Sequence, residues 1–251
     1  MSLSRVELTA ELSQAGLLPV GALLCLAGDK LPESLSQRVP DAWRELLHPD
    51  PARRRSLLSE LWSPVTRKLS YCFEPFFEAV SQLAVLDRPG LPPLLIYGLR
   101  QSGRPVLWWG EPPLELASLP AAFAPYWEQL PKDLHHWYGL HAEFRHRGGP
   151  FPMLESPSNW SWLSDLAGPD VNPPSWQELE LEPEQVLIIG TDSGGRYLGV
   201  WVNDLDQPLS PALGLIWDSK QDSVQILDPL FSDLDPYLED LFLELDPLAS
   251  A

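Results

Sequence analysis

Residues 186–202, with the sequence VLIIGTDSGGRYLGVWV, decide the fold class of this chain. Two apolar runs, 186–190 and 196–202, stand on either side of a short polar turn. Gly194 and Gly195 are able to adopt the positive φ angles that a tight turn between strands needs. The stretch therefore predicts a β-hairpin.

Two further segments show the same arrangement of apolar runs around a polar turn. Residues 212–218 (ALGLIWD) and 223–228 (SVQILD) flank the tetrapeptide SKQD and predict a second hairpin. Residues 94–110 (LLIYGLRQSGRPVLWWG) predict two strands joined by a turn at Gln101 to Arg104. Neighbouring strands joined by such short turns pair in the antiparallel sense.

Helices are predicted where apolar residues recur at a spacing of three or four. These segments are 4–15, 41–48, 51–62, 69–86, a pair of helices within 116–144, and a closing helix at 235–245 that Asp235 caps. Residues 145–176, rich in Gly, Pro, Ser and Asn, predict a long loop. We therefore expect an α+β fold with helices packed on an antiparallel sheet. A mainly helical N-terminal region, 1–93, precedes an α+β region, 94–251, in one compact unit.

The net charge of -18 is concentrated in the C-terminal half of the chain. Residues 126–251 contain 5 Lys and Arg against 22 Asp and Glu, whereas residues 1–125 contain 12 against 13. Such a field repels nucleic acid and anionic lipid and attracts basic partners. Solubility alone is the alternative explanation, but it accounts less well for the one-sided placement.

Composition and the N-terminal segment predict a folded protein of the cytoplasm. The 11 Trp argue against a disordered chain. Cys25 and Cys72 form no CxxC pair, and buried free thiols in a reducing compartment are the simplest interpretation. The apolar run at 15–28 is interrupted by Pro19, follows acidic residues and is too short to cross a bilayer. We therefore expect neither a signal peptide nor a membrane span.

The tetrapeptide DSGG, Asp192 to Gly195, is similar to the nucleophile loop of chymotrypsin-like serine proteases. That family has Gly before the Asp and Pro after the second Gly, whereas this chain has Thr191 and Arg196. A serine nucleophile also needs a His base that an acid orients, and the family's Cys-bounded His segment is absent upstream. A tight hairpin turn explains the tetrapeptide, so we expect Ser193 not to be catalytic.

No other group of residues in the sequence predicts catalysis or a cofactor. His135, His136, His141 and His146 are spaced by one, five and five, which does not bring them to one helix face as zinc ligands. We expect His136 and His141 to be packed surface residues. The alternating Glu residues of 178–184 do not fit a calcium loop, and the chain has no phosphate loop or dinucleotide fingerprint. The sequence therefore favours a binding protein without metal or cofactor over an enzyme.

The C-terminal half resembles the SUKH superfamily of Smi/Knr-type proteins over roughly residues 116–245. LPKDLHHWYGLH at 130–141 is similar to that family's helix, which has Leu-Pro, a short spacer, an apolar residue and an aromatic residue. Residues 186–202 are similar to its core of strand, Ile-Gly, Asp-x-Gly-Gly and strand, and a further strand at 214–217 and a closing helix follow. The loop at 145–176 is longer than usual in the family, and the N-terminal region falls outside the resemblance.

The resemblance implies an α+β binding module without enzymatic activity. Bacterial members of the superfamily are frequently immunity proteins that neutralise a toxin delivered by neighbouring cells. The acidic half suits a basic toxin, because opposite charges attract the two proteins. A secretion adaptor or chaperone for an effector protein is the alternative.

Candidate partner-binding residues are the carboxylates and loop tryptophans of the C-terminal half. They are Glu178, Glu180, Glu182, Glu184, Asp204, Asp206, Asp218, Asp222, Trp160, Trp162 and Trp176. Aromatic side chains usually anchor the centre of an interface, and charges at its rim steer association. Core packing is the alternative role for each Trp.

Overall fold

The structure is a computed structural model, and it describes residues 2–146, 153–167, 174–191, 195–202, 213–228 and 230–235. Its α-helices are α1 (Arg5–Gln14), α2 (Glu33–Ser36), α3 (Asp41–Leu46), α4 (Pro51–Thr66), α5 (Ser70–Ala79), α6 (Lys132–Tyr138), α7 (Leu163–Ala167) and α8 (Pro174–Glu178). Short 3-10 helices lie at Leu116–Ser118, Ala124–Gln129, Pro157–Asn159 and Pro183–Gln185, and residues 230–235 are helical. The strands are β1 (Leu23–Leu26), β2 (Gln82–Asp87), β3 (Leu94–Gln101), β4 (Arg104–Gly110), β5 (Phe144–His146), β6 (Met153–Leu154), β7 (Ser161–Trp162), β8 (Val186–Thr191), β9 (Arg196–Trp201), β10 (Leu213–Asp218) and β11 (Ser223–Leu227).

The fold is of the predicted α+β class, but it contains two antiparallel sheets where the sequence predicts one. The first sheet has the order β1-β2-β3-β4-β5. The second has the order β11-β10-β9-β8-β6, with β7 pairing to β8 beside this path. The three predicted hairpins, β3–β4, β8–β9 and β10–β11, are confirmed. Positive φ angles at Ser102 (49°) and Gly103 (76°) make the turn of the first hairpin.

Two strands lie in the N-terminal region that the sequence predicts to be mainly helical. The helix predicted over 69–86 ends at Ala79, because Val80 has extended backbone with φ −61° and ψ 103°, and β2 follows. Its apolar run, 83–86, is buried. A strand buried on both faces has no alternation, so periodicity does not separate it from a helix. Since β2 pairs with β3, the first sheet joins residues on both sides of position 93/94.

The segment 116–176 contains more short elements than the sequence predicts. Two 3-10 helices and α6 replace the expected pair of α-helices, and Pro120, Pro125 and Pro131 interrupt this stretch. The expected long loop at 145–176 includes β6, β7, α7 and α8 in its described parts. The strands β6 and β7 pair with β8, and α7 and α8 pack on one face of the second sheet, so the described parts of the segment belong to the fold.

The predicted closing helix, 235–245, lies outside the described residues except for Asp235. Asp235 is buried and is the last of the described helical residues 230–235. Leu230, Phe231 and Leu234 pack in the central core. Asp235 is therefore helical itself, whereas the sequence predicts it as the residue that precedes a helix.

Three apolar clusters hold the layers together. The central cluster joins one face of each sheet to residues of α3, α4, α5 and α6. A second cluster packs α1 on the other face of the first sheet. A third packs Leu163 of α7 and Trp176 of α8 on the other face of the second sheet. The acidic segment 178–184 follows α8 and therefore lies over this outer face.

Candidate functional site

The Glu178–Glu184 segment faces outward because Trp176 before it and Leu181 within it are held in the core, whereas Leu179 is exposed with the glutamates. Trp176 is 1% exposed, and its ring lies 4.8 Å from that of Trp217 on β10. The Leu181 N–H donates to the Trp176 carbonyl (2.9 Å), and Leu181 is also buried. Glu180 between them adopts a left-handed conformation with φ 51°, which ends the helical turn.

All four glutamates of this segment are exposed: Glu178, Glu180, Glu182 and Glu184. Glu182 precedes and Glu184 lies within Pro183–Gln185, a 3-10 turn that is hydrogen-bonded to the second sheet. The Trp201 indole N–H donates to Gln185 Oε1 (3.2 Å), and the Val202 N–H donates to the Gln185 carbonyl (2.9 Å). The turn is thus fixed on β9 while its carboxylates face solvent.

Asp222 joins this surface, whereas Asp218 has a structural role. Asp222 lies in the β10–β11 turn with φ 47°, and its Oδ1 accepts a hydrogen bond of 2.6 Å from the Ser175 hydroxyl in α8. Asp218 Oδ1 accepts from the N–H groups of Lys220 and Gln221 (2.9 and 3.0 Å), so this carboxylate shapes the turn itself. Asp204 and Asp206 lie outside the described residues. We define the acidic surface as Glu178, Glu180, Glu182, Glu184 and Asp222.

The carboxylates of the acidic surface have no cationic partner among the residues that the structure describes. Ion pairs of the described ranges include Arg5–Asp29, Arg38–Asp87, Arg44–Asp41, Lys68–Asp133, Arg88–Glu111, Arg100–Glu7 and Arg145–Glu143. All of these pairs join residues within the first 145 positions. Five of the 13 carboxylates of residues 1–125 take part in these pairs, whereas none of the carboxylates of the acidic surface does.

Two of the three tryptophans proposed as anchors are buried and do not face a partner. Trp176 packs as described above, and Trp160 is 5% exposed with its indole N–H donating to the Tyr138 hydroxyl (3.2 Å). Trp162 is partly exposed, and its ring packs edge-on against that of Tyr126 at 5.0 Å. The anchor hypothesis therefore applies to Trp162 alone, and core packing, the alternative, holds for the other two.

The histidines are dispersed, and the burial of His141 corrects the prediction of a surface residue. His141 is 0% exposed and lies in the central core against Trp43, Trp62 and Phe144. Burial lowers the pKa of His141 to about 4. His136, by contrast, is exposed.

The hydrogen bonds of His141 determine which ring nitrogen carries the proton. Nδ1 lies 2.8 Å from the Glu111 carbonyl oxygen, which is only an acceptor, so Nδ1 donates. Nε2 of the neutral ring then accepts from the Tyr97 hydroxyl at 2.7 Å, and Trp62 Nε1 donates to the same hydroxyl at 3.3 Å. Each polar side-chain group of Trp62, Tyr97 and His141 thus has a hydrogen-bond partner, as a stable polar network in a core requires.

Within the described ranges, no three His, Cys, Asp or Glu residues form a group able to hold a metal ion. In the same ranges, no helix combines the length and apolarity that crossing a membrane requires. Cys25 is a buried free thiol, as predicted, and burial raises its pKa. Ser193 lies outside the described residues, as does the Cys72 side chain, so their expected roles stay predictions.

Comparison of the chain with family models, with curated proteins and with solved structures found no match.

Proposed function

We propose that this protein is a bacterial immunity protein that binds and neutralises a basic toxin in the cytoplasm, acting by binding and not by catalysis. The observation that carries the proposal is the acidic surface, whose four exposed glutamates and partly buried Asp222 lack cationic partners among the described residues. The resemblance of residues 116–245 to the SUKH superfamily supports the immunity role.

The proposed recognition has two components with different physical roles. The acidic surface attracts Lys and Arg side chains and raises the association rate, because electrostatic steering acts before contact. Affinity then depends on groups that are desolvated at the centre of the interface, and Trp162 is the candidate anchor. Neutralisation follows when the bound protein covers the toxin's active site or its path to an anionic substrate.

The direct test mixes the purified protein with the toxin domain encoded by the adjacent reading frame. Stoichiometric inhibition of the toxin supports the immunity role. Binding without inhibition supports the alternative, a secretion adaptor or chaperone. Absence of binding at low ionic strength, where charge attraction is strongest, would reject both.

A further inference from the structure

An open groove of about 720 Å³ lies on a different part of the molecule from the acidic surface. The loop after β2, the loop after β4 and the segment around residue 157 form its walls. Five prolines line it: Pro92, Pro93, Pro112, Pro113 and Pro157. Leu91 beside them is 48% exposed. Pro92 is exposed and Pro112 and Pro113 are partly exposed, whereas Pro93 and Pro157 are buried beneath them. The groove thus presents three proline rings and Leu91 at the surface, where a partner's aliphatic groups are able to pack.

The groove has few hydrogen-bond donors left for a ligand. Prolines have no N–H. The N–H groups of Leu91, Leu114 and Ala142 donate to the carbonyls of Arg88, Tyr138 and Pro112. These three donors of the lining are therefore used within the fold.

The cation of the groove wall is also engaged. Arg38 donates to the Asp87 carboxylate at 2.7 Å and to the Leu91 carbonyl at 2.6 Å. The hydroxyls of Ser118 and Ser158 donate to the Glu115 carbonyl and the Ser156 hydroxyl, so the Gln37 amide and the Ser156 hydroxyl are the remaining side-chain donors of the lining. The groove therefore offers few donors to a ligand that binds by accepting hydrogen bonds.

Acceptors, by contrast, are available in the groove. Glu115 is exposed and has no ion pair with any residue in the described ranges. The Glu111 carboxylate is only partly engaged, because the Arg88 guanidinium lies 3.4 Å from one of its oxygens. A groove with apolar rings, few donors and carboxylates complements a chain that carries both aliphatic stems and cationic donors. Lys and Arg side chains combine these two properties.

We propose that this groove binds an extended, basic segment of a protein partner, with Lys or Arg stems on the proline rings and a cationic end at Glu115. The inference rests on the proposed function, since the segment belongs to the partner that the acidic surface attracts. It adds a second contact site, where hydrogen-bond complementarity and not the long-range field selects the ligand.

The probe is the peptide acetyl-Arg-Pro-Arg-Pro-Arg-amide, titrated into the full protein and followed by NMR shifts of backbone amides. A matched peptide with citrulline in place of arginine keeps the shape and removes the charge. We expect saturable binding with shifts at residues 88–93 and 111–118, and much weaker binding of the citrulline peptide. Binding of both peptides with equal affinity, or no saturable binding, would overturn the proposal.

Two substitutions at Glu115 distinguish a specific contact in the groove from attraction of the peptide by the protein's net negative charge. Glu115→Gln should weaken peptide binding by about threefold to fivefold, which corresponds to the ~1 kcal/mol upper range of an exposed ion pair. Glu115→Lys should weaken it further. Glu128→Lys, an exposed change of equal charge on the 3-10 helix 124–129, is the control and should have a smaller effect. Equal weakening by both lysine substitutions contradicts a specific groove contact.

The outcome for the groove is distinguishable from the outcome for the proposed function. If the toxin neither binds nor is inhibited while peptide binding still depends on Glu115, the groove proposal is supported and the proposed immunity role is rejected. If toxin inhibition is intact while Glu115→Lys changes neither peptide nor toxin binding, the groove proposal fails alone.

Discussion

Tyr97 and His141 share a hydrogen bond of 2.7 Å at the centre of the protein, and it joins the first sheet to the segment that follows α6. Burial raises the pKa of Tyr97 and lowers that of His141 to about 4, so both side chains are neutral near pH 7. The pair is 44 positions apart in the chain. Its geometry makes the stability of the fold depend on pH.

Acidification should destabilise the protein through His141. An unfolded histidine has its ordinary pKa of about 6.5, whereas the folded value is about 4. Between these two pH values the unfolded state binds more protons than the folded state. The contribution of neutral His141 to the free energy of unfolding is therefore fully present above about pH 6.5 and is lost towards pH 4, by up to about 3 kcal/mol. His146, whose pKa burial also lowers to about 4, adds in the same direction. Urea unfolding at pH 7 and pH 5 measures the difference.

The variant His141→Phe tests this assignment. It should be less stable at pH 7 by roughly 1–3 kcal/mol, because the Glu111 carbonyl loses its donor. Its free energy of unfolding should change less between pH 7 and pH 5 than that of the wild type. His136→Gln, at an exposed position, should keep the wild-type pH dependence. A wild-type slope in His141→Phe would refute the role of His141.

Gly110→Ala should destabilise the protein because a side chain at this position meets the His141 ring. A Cβ atom there would lie 2.2 Å from His141 Nδ1. Relief of such overlap usually costs about 1–3 kcal/mol, and we expect the upper end here, where the ring is fixed by two hydrogen bonds. Thermal melting of Gly110→Ala, alone and with His141→Ala, measures the coupling.

The double substitution should be less destabilising than the sum of the two single ones, since the smaller side chain removes the overlap. Gly16→Ala provides the comparison, because Gly16 has φ +71° and no atom within 4 Å of its Cβ position. Its cost comes from backbone strain alone, of order 1 kcal/mol, and should not depend on His141. Additive effects of Gly110→Ala and His141→Ala would contradict the predicted contact.

Ser193→Ala should leave toxin inhibition and stability unchanged. The prediction follows from the hairpin that β8 and β9 form around this position and from the absence of the protease family's flanking residues. A serine-hydrolase probe followed by mass spectrometry gives the decisive measurement. Covalent labelling of Ser193 in the wild-type protein, lost in Ser193→Ala, would restore the catalytic interpretation.

Local sequence predicts the parts of the fold that short-range chemistry determines. The three hairpins follow from apolar runs around turns such as Ser102–Gly103, and α4 follows from apolar spacing and from Asp50, whose carboxylate accepts from the Ala52 N–H. β2 escapes prediction, because its continuous apolar run becomes a strand only by pairing with β1 and β3. Long-range pairing of this kind has no local signal.

The candidate site divides in the same way. Exposure of Glu178, Glu180, Glu182 and Glu184 agrees with their polar character, and Leu181 among them is buried as an apolar residue, but Leu179 is exposed. Burial of His141 and Trp176 depends on Trp62 and Trp217, which are distant in sequence. Local sequence therefore does not reveal the burial of His141, and it leaves Trp176 open between an interface anchor and a core residue. The groove is formed by loops that lie far apart in the sequence, and no sequence motif indicates that they come together.

Charge reversal at the acidic surface should slow association with the toxin. The test protein carries Glu178→Lys, Glu180→Lys, Glu182→Lys and Glu184→Lys. We expect the association rate constant to fall by about tenfold or more at low salt, because steering accounts for factors of about 10 to 1,000. The rate should also become less sensitive to ionic strength. Stopped-flow measurements at several salt concentrations give both quantities.

The control must reverse the same number of charges without changing the fold. Glu7 is unsuitable, because its carboxylate pairs with Arg100 and caps α1. A matched set of exposed N-terminal residues is Glu33, Glu45, Glu60 and Glu78. Asp218 should remain in both proteins, since Asp218→Lys would remove the acceptor that holds the β10–β11 turn. Equal slowing by the two sets would mean that net charge alone drives association. An unchanged, salt-independent rate in both would assign the acidic surface to solubility.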